Sequence, residues 1–185
     1  MKALVIGATG ATGKDLVNQL LNDKDFDEVD VFVRKPLDIQ NDKLKTHIVD
    51  FEKPEEWKNE VKGDVAFSCL GTTLKTAGSK EAQRKVDYDY QYEFAKAAKE
   101  NNVDDYILVS AYGADPKSRI FYSKMKGELE EAVKQLHFNK ITIFKRECWK
   151  ERIPTEPEKF WEAGSSNLPT KLDYLKAKNH YQPTF

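Results

Sequence analysis

The sequence is poor in the residues that commonly build metal sites. It has two cysteines, Cys69 and Cys148, and three histidines among 185 residues. The cysteines form no CxxC or CxxH pattern, so zinc is not indicated. The histidines, His47, His137 and His180, are scattered along the chain and suggest no common site. We therefore expect no bound metal.

Long hydrophobic runs and an excess of one charge are also absent. No apolar stretch reaches the length of a membrane span, and the first residues predict a strand and a turn rather than a signal peptide. Lys and Arg number 30 against 31 Asp and Glu, a net charge of −1, which gives no reason to expect nucleic acid or an anionic membrane as a partner. These absences favour a cytoplasmic protein.

The sequence does contain short apolar runs that alternate with amphipathic helical segments. Hydrophobic residues make up 39% of the chain, which is enough to bury a core. The predicted strands are 3–6, 29–33, 47–49, 64–69, 106–110 and 140–144, and the predicted helices are 14–22, 79–101 and 121–136. Strands alternating with helices favour an α/β fold with a doubly wound parallel sheet that is covered on both faces.

The composition changes after the sixth predicted strand. Residues 146–185 hold four of the seven prolines and two of the three tryptophans. Only four of them are Val, Ile, Leu or Met, so a further strand with its helix cannot be built from this segment. We therefore divide the chain into a folded domain at 1–145 and an atypical tail at 146–185.

A glycine-rich turn follows the first predicted strand and opens the first helix. Gly7 permits a tight turn, Gly10 lets the backbone approach a pyrophosphate, and Gly13 lets the helix pack close to the sheet. Free N–H groups at the start of a helix, together with its dipole, favour a phosphate. The spacing is GxxGxxG rather than GxGxxG, but its place between strand and helix predicts a dinucleotide site in a Rossmann fold. The predicted contacts in this turn are Gly7, Thr9, Gly10, Ala11, Thr12 and Gly13.

A Walker A phosphate loop is the competing interpretation of the same turn. That motif requires GxxxxGK followed by Ser or Thr. Here Gly13 and Lys14 are followed by Asp15, and Ala8 stands where the first glycine is required. The turn therefore departs from Walker A at two positions.

The end of the second predicted strand distinguishes two forms of the cofactor. An acidic residue there would bind the adenosine ribose of NAD. The chain has Arg34 and Lys35 instead, and two cations suit the 2′-phosphate of NADP. We predict NADP(H), with NAD as the alternative, and expect Asp50 after the third strand to face the adenine.

A tyrosine and a lysine suggest the chemistry. Tyr122 and Lys126 are four residues apart on a predicted helix and so share one face. A phenol with a pKa near ~10 is a poor base at neutral pH, but a nearby ammonium favours the phenolate. The pair can then exchange a proton with a substrate carbonyl or alcohol during hydride transfer. Ser110 ends the fifth predicted strand, where its hydroxyl could hold the substrate oxygen.

The remaining reactive, aromatic and acidic residues are predicted to have structural roles. Cys69 lies in an apolar run with no histidine near it, which predicts a buried thiol rather than an acylating nucleophile. Tyr88 and Tyr92 share a helix face, which predicts packing in the core or in a homodimer. Three glutamates of the last helix are predicted to form a solvated face: Glu128, Glu130 and Glu131.

Six stretches together resemble one family. They are GATGATG, VRKP, FSCLGTT with the following KTAGS, KVDY, LVSAYGAD and FYSKMKGELE. In this order, over residues 1–145, they resemble the atypical branch of the short-chain dehydrogenase/reductase superfamily, close to the Tat-interacting-protein-like oxidoreductases. The resemblance implies cofactor contacts at Gly7, Gly10, Thr12, Arg34 and the turn Cys69, Leu70 and Gly71, and a catalytic set of Ser110, Tyr122 and Lys126. Asp87 stands where many relatives carry Asn.

The resemblance also implies a function. It predicts an NADP(H)-dependent oxidoreductase that transfers a hydride to or from a small carbonyl or alcohol substrate. Some similar proteins resemble regulators that bind the cofactor without turnover, so a redox-sensing regulatory protein is the alternative. Sugar-nucleotide epimerisation on the same scaffold is a weaker third interpretation.

The tail departs from this family pattern. Proteins of this branch usually follow the sixth strand with Pro-Gly, where this chain has Arg146 and Glu147. One base inserted into a permitted codon spelling of residues 144–149 restores Phe-Lys-Pro-Gly-Met-Leu, the expected pattern. We therefore hypothesise that residues 146–185 are translated out of frame, which would leave the fold truncated or altered at its C-terminus. Resequencing of the gene should recover the missing base; an in-frame tail in related genomes would refute the hypothesis.

Overall fold

The structure, a computed structural model, describes residues 1–146. Apart from Arg146, the atypical tail and the hypothesis about its reading frame lie outside the described residues. Six strands form one parallel sheet in the order β3-β2-β1-β4-β5-β6. The strands are β1 (Lys2–Ile6), β2 (Glu28–Val33), β3 (Leu44–Ile48), β4 (Val65–Ser68), β5 (Asp105–Ala111) and β6 (Lys140–Arg146). The order is that of a Rossmann fold, so the predicted doubly wound α/β sheet is confirmed.

The sheet reverses its direction of growth between β1 and β4. Strands β2 and β3 lie on one side of β1, and β4, β5 and β6 lie on the other. At such a switch point a crevice opens beyond the carboxyl ends of the strands. The loops that follow Ile6 and Ser68 therefore border this crevice, and the glycine turn is the first of them.

Helices cover the two faces of the sheet. They are α1 (Ala11–Asn22), α2 (Pro54–Trp57), α3 (Leu74–Ala77), α4 (Lys80–Arg84), α5 (Tyr90–Glu100) and α6 (Phe121–Lys134). Successive side chains of a strand point to opposite faces. Val5 accordingly packs in one buried cluster with Leu16 of α1, whereas Leu4 packs in the other with Phe94 of α5 and Leu129 of α6.

The long helix predicted for residues 79–101 forms with one irregularity. The hydroxyl of Ser79 accepts the N–H of Ala82 at 3.1 Å and caps α4 where the prediction placed the start. A π-turn, Lys85–Asp89, separates α4 from α5. Such a turn inserts an extra residue and is frequent at functional sites. Within it Asp87 is buried.

Several predicted boundaries are wrong by up to one helical turn. Helix α1 begins at Ala11 rather than at residue 14, because the last residues of the glycine turn are already helical. Strand β3 spans Leu44–Ile48 rather than 47–49; it is an edge strand with polar side chains, so no apolar run marks its start. The short helices α2 and α3 are too brief for periodicity to indicate them.

Candidate functional site

The glycine turn has the geometry that its spacing predicts. Gly7 adopts φ +86°, and a side chain there would overlap the backbone of Cys69 and Leu70. A methyl group on Gly13 would overlap the carbonyl of Gly7 and lie 2.9 Å from the Cα of Ala8. These two glycines are therefore required by the close approach of α1 and the loop after β4 to the loop after β1.

Gly10 is a glycine for a different reason. Its backbone, at φ −75° and ψ 164°, is extended and open to any residue. A methyl group there would make only an ordinary contact, 3.5 Å from the oxygen of Gly7. Gly10 is also the N-cap of α1, and no side chain caps this helix. An exposed glycine before an uncapped helix N-terminus fits a pyrophosphate, which would approach the backbone and accept its N–H groups.

The remaining predicted contacts of the turn surround this position. Thr9 and Ala11 are exposed and Thr12 is half-buried. Cys69 and Leu70 are half-buried and Gly71 is exposed, in the loop that follows β4. Both loops leave the carboxyl edge of adjacent strands, so the sheet brings them together at the switch point. Cys69 is only partly buried, and it packs against the hydrophobic cluster that contains Leu16 and Phe67. The predicted structural packing of this thiol is therefore confirmed, while its burial is less complete than predicted.

The end of β2, where the sequence predicts the adenosine of the cofactor, has exposed cations. Arg34 and Lys35 directly follow β2 and are both exposed. Within residues 1–146, neither side chain is engaged in a salt bridge. Asp50 is exposed, and one of its carboxylate oxygens accepts the N–H of Glu52 at 3.0 Å. The other oxygen makes no hydrogen bond within these residues, and the predicted contact of Asp50 with the adenine stays a prediction.

The two residues that follow Asp50 make an aromatic and a polar contact with a distant part of the chain. Phe51 is buried and stacks on Tyr90 with ring centroids 5.4 Å apart. The hydroxyl of Tyr90 donates to Glu52, and Lys85 pairs with the same carboxylate at 2.7 Å. Burial and this hydrogen bond raise the pKa of Tyr90 to about 12. Sequence reasoning missed Glu52, Lys85 and Tyr90 because their contacts join the loop after β3 to a helix far along the chain.

Tyr122 and Lys126 lie one turn apart on α6, as predicted. Tyr122 is half-buried, and Lys126 is 3% exposed. The ammonium of Lys126 lies 3.7 Å from Oδ1 of Asp87. Burial lowers the pKa of Lys126, and the charge of Asp87 opposes that shift. The same burial raises the pKa of Asp87, and Lys126 opposes that shift in turn.

Ser110 is buried beneath α6 and already has a partner. Its hydroxyl donates to Oε1 of Glu130 at 2.6 Å, and Oε2 of Glu130 pairs with Lys145 at 3.2 Å. The prediction that Glu130 is solvated is therefore wrong: it is 4% exposed. The reason is helix geometry, since Glu130 follows Lys126 by four residues and shares its inward face.

The loop before α6 packs directly on the helix that carries this pair. The N–H of Asp115 donates to the carbonyl of Ser123 at 3.0 Å. A side chain at Gly127 would overlap the backbone of Asp115 and Pro116. Gly127 thus lets the loop lie against α6 beside Lys126. Its position one residue after the YxxxK pattern was the available signal, and sequence reasoning did not use it.

Metal-binding clusters and membrane-spanning helices are absent from the described residues. Within the part of the chain that the structure describes, no three His, Cys, Asp or Glu side chains are grouped so that they could hold a metal ion. No helix among residues 1–146 is long and apolar enough to cross a bilayer.

The strand order and the glycine turn define a dinucleotide-binding protein of the Rossmann class. A profile of the NAD(P)H-binding family matches residues 7–140, and the chain belongs to that family. Its glycine turn, Arg34 and the loop after β4 lie within or at the edge of the matched segment. The family assigns an NAD(P)-type cofactor without distinguishing NADP from NAD.

Curated relatives agree with the resemblance drawn from the sequence. The chain is 36% identical to protein HTATIP2 of Rattus norvegicus over 145 residues, which cover 76% of this chain and 60% of the rat protein. It is 34% identical to the mitochondrial protein FMP52 of Coccidioides immitis, over 76% of this chain and 63% of that protein. It is 36% identical to the mitochondrial protein FMP52 of Saccharomyces cerevisiae, over 78% and 64%. The chain therefore spans less than two thirds of the length of these relatives.

Solved structures share the fold. The UDP-glucose 4-epimerase of Thermotoga maritima, solved with UDP-glucose, superposes with a TM-score of 0.65 at 14% identity, over 78% of this chain and 55% of the epimerase. A short-chain dehydrogenase/reductase superfamily protein of Agrobacterium tumefaciens with bound NAD gives 0.63 at 15% identity, over 78% and 48%. At such identities the likeness shows the fold alone. It confirms the Rossmann fold and gives no support to epimerisation by this chain.

The relatives contradict one expectation from the sequence. The fungal proteins FMP52 are named as mitochondrial, whereas the absence of a recognisable leader had favoured the cytoplasm. The expectation rested on net charge and on the lack of a membrane-spanning or signal segment, and none of these features distinguishes the cytoplasm from mitochondria. The cytoplasmic expectation is therefore withdrawn.

Proposed function

We propose that the protein is an NADP(H)-dependent oxidoreductase of the short-chain dehydrogenase type, acting on a small carbonyl or alcohol. The observation that carries the proposal is the placement of Tyr122 and Lys126. The two residues lie on the inward face of α6 and share the carboxyl side of the sheet with the glycine turn. The buried carboxylate of Asp87 pairs with the ammonium of Lys126 and offsets part of the cost of burying its charge.

Each residue of the site has a definite task in this proposal. A bound nicotinamide would accept or supply the hydride. The hydroxyl of Tyr122 gives a proton to the substrate oxygen or takes one from it. The ammonium of Lys126 favours the phenolate through its charge and donates to the nicotinamide ribose. Ser110 orients the substrate oxygen, which requires its hydroxyl to turn away from Glu130.

The preference for NADP(H) is supported by the two cations after β2. A 2′-phosphate accepts charge-assisted hydrogen bonds, which are roughly twice as strong as neutral ones. Arg34 and Lys35 are exposed at the position where NAD-binding proteins carry an acidic residue. Asp50 retains one carboxylate oxygen for the amino group of the adenine.

Thermal unfolding with NADP⁺, with NAD⁺ and with neither tests the cofactor. Ligand at about a hundred times its dissociation constant adds ~2.7 kcal/mol to the free energy of unfolding, which for a domain of this size raises Tm by about 5 to 10 °C. We expect the larger shift with NADP⁺. Arg34→Ala should weaken NADP⁺ binding by about 10- to 100-fold and leave NAD⁺ binding almost unchanged.

Lys24→Ala is the matched control for Arg34→Ala. Lys24 is an exposed cation just beyond the C-terminus of α1, at the opposite edge of the sheet. Its removal should change neither shift. A cooperatively unfolding protein that responds to neither nucleotide would refute the cofactor site. A larger response to NAD⁺ would refute only the role of Arg34 and Lys35.

A second candidate, a cofactor-binding regulatory protein without turnover, is favoured by one contact. The only proton of the Ser110 hydroxyl is donated to Glu130, so in this arrangement Ser110 cannot donate to a substrate oxygen. Such a protein would bind NADP(H) and report the redox state through a protein partner. NADPH binding without consumption over a broad set of aldehydes and ketones would favour it over the enzyme.

A further inference from the structure

Among residues 1–146, four large hydrophobic side chains are exposed, and three of them lie in the connections that follow β4 and β5. Leu74 is 46% exposed, Tyr112 70% and Ile120 67%. Exposed apolar clusters commonly mark binding sites, because their removal from water is favourable. We propose that these three residues, the apolar rim, bind an apolar substituent of the substrate, so that the preferred substrates are alkyl or aryl aldehydes, ketones and their alcohols. The inference deepens the proposed oxidoreductase function and rests on it.

The fold brings the apolar rim to one edge of the sheet. Leu74 follows β4 and Tyr112 follows β5, and these adjacent parallel strands send both connections out at the same carboxyl edge. Ile120 is the N-cap of α6, the helix of the Tyr-Lys pair. Single exposed hydrophobic residues are ordinary on a protein surface, but each of these lies two or three residues from a predicted site residue. Those neighbours are Gly71, Ser110 and Tyr122, respectively.

Side-chain contacts hold the start of α4 against α6. The ammonium of Lys80 lies 5.6 Å from the centroid of the Phe121 ring, and the guanidinium of Arg84 pairs with Glu128 at 2.6 Å. Helix α3, which carries Leu74, ends two residues before α4 begins. The connection after β4 therefore lies beside the start of α6, where the loop after β5 also ends.

Local hydrogen bonds order both connections without using the side chains of the apolar rim. The hydroxyl of Thr73 accepts the N–H of Thr76 at 3.1 Å and caps α3. The N–H of Ile120 donates to the hydroxyl of Ser118 at 3.1 Å. Because polar groups already fix these segments, little conformational ordering would oppose the binding of a ligand to the rim.

The location favours a substrate substituent as the occupant of the apolar rim. Small-molecule sites combine a few polar groups with mostly apolar walls. Ser110 and Tyr122 are the polar groups of the proposed site, and Ser110 is buried and Tyr122 half-buried. The substituents of a carbonyl held between them must extend outward, towards the loops that carry the rim. Residues 147–185 and a second copy of the chain are the competing occupants.

The test compares propanal, pentanal and heptanal as substrates of the full chain, with NADPH consumption as the measurement. Each methylene that the apolar rim removes from water should raise kcat/KM by about twofold to fourfold. In the triple variant Leu74→Gln/Tyr112→Ser/Ile120→Ser this dependence on chain length should disappear, while propanal, which is too short to reach the rim, is reduced at the wild-type rate. All three positions are exposed and serine is a favourable N-cap, so the variant should fold.

Ile48→Gln serves as the control for the triple variant. Ile48 is 62% exposed and ends β3, on the far side of the switch point, so its removal should leave the dependence on chain length unchanged. Wild-type turnover that does not depend on chain length would overturn the inference and leave the proposed function intact. A triple variant that keeps the dependence but lowers Tm or the sedimentation coefficient would assign the rim to residues 147–185 or to a second copy, and would overturn the inference as well.

A chain that consumes no NADPH with any aldehyde would refute turnover but would still allow a test of the apolar rim. Alkyl formamides resemble aldehydes and are not reduced, so their binding to the NADPH-saturated chain can be measured by calorimetric titration. An affinity that rises with alkyl length in the wild type and not in the triple variant would support the rim, and an affinity without this rise would overturn it. A chain that binds no NADPH would refute the proposed cofactor site, and this inference with it.

Discussion

Tyr122→Phe is expected to lose turnover by about 10²- to 10⁴-fold while it binds NADPH as tightly as the wild type. The phenolic oxygen is the group that exchanges the proton with the substrate, and proton transfer by a positioned side chain contributes a factor of this size. The ring itself remains, so packing on α6 is retained. The measurement is NADPH consumption with a set of small aldehydes and ketones, beside a binding titration of the same preparation.

Tyr92→Phe provides the control for this variant. Tyr92 is also half-buried and stacks on Tyr88 with ring centroids 6.1 Å apart, but it lies on α5 and does not belong to the proposed site. Its turnover should remain at the wild-type level. Turnover that survives in Tyr122→Phe would show that another group moves the proton, and the assignment of Tyr122 and Lys126 would then be wrong.

Alanine substitutions at Gly13 and Gly10 should affect different properties. Gly13→Ala should lower the stability, whereas Gly10→Ala should lower the affinity for NADPH. In Gly13→Ala the new methyl overlaps the carbonyl of Gly7, so α1 must move away from the sheet. Overpacking of this kind costs about 1–3 kcal/mol or more, which lowers Tm by several degrees. In Gly10→Ala the methyl meets only an ordinary contact at 3.5 Å, and the stability should be almost unchanged.

The affinity for NADPH is the property that Gly10→Ala should change. The methyl of Gly10→Ala lies where a pyrophosphate would approach the start of α1, and the affinity for NADPH should fall by about tenfold or more. Calorimetric unfolding and a nucleotide titration on both variants provide the measurement. Unaltered NADPH affinity in Gly10→Ala would mean that the pyrophosphate does not pass over this residue, contrary to the proposed site.

The parts of the site that the sequence predicts are those with a local signature. The glycine turn depends on backbone space within seven residues, and Tyr122 with Lys126 depends on the repeat of one helix. Both were recognised, and the structure places them on the same side of one sheet. Arg34 and Lys35 were found because the residue after β2 follows directly from the end of an apolar run.

The residues that the sequence does not reveal have partners that are distant along the chain. Glu130 has the spacing of a solvated helix face, yet it is buried because β5 and β6 supply Ser110 and Lys145 as partners. Asp87 stands in an ordinary helical pattern, and only the π-turn brings it beneath Thr72. A pattern of hydrophobicity cannot indicate either, since it records which positions are apolar and not which polar groups meet.

By itself, the sequence determines that this protein is a parallel α/β domain with a dinucleotide turn and a Tyr-Lys pair. These features follow from periodicity and from the absence of side chains at three glycines, which are local properties of the chain. Only the tertiary structure decides that Lys126 is paired with Asp87 and that the Ser110 hydroxyl is donated to Glu130. Burial in a low-dielectric interior makes an unpaired charge costly, and which carboxylate satisfies it depends on how distant strands and helices pack.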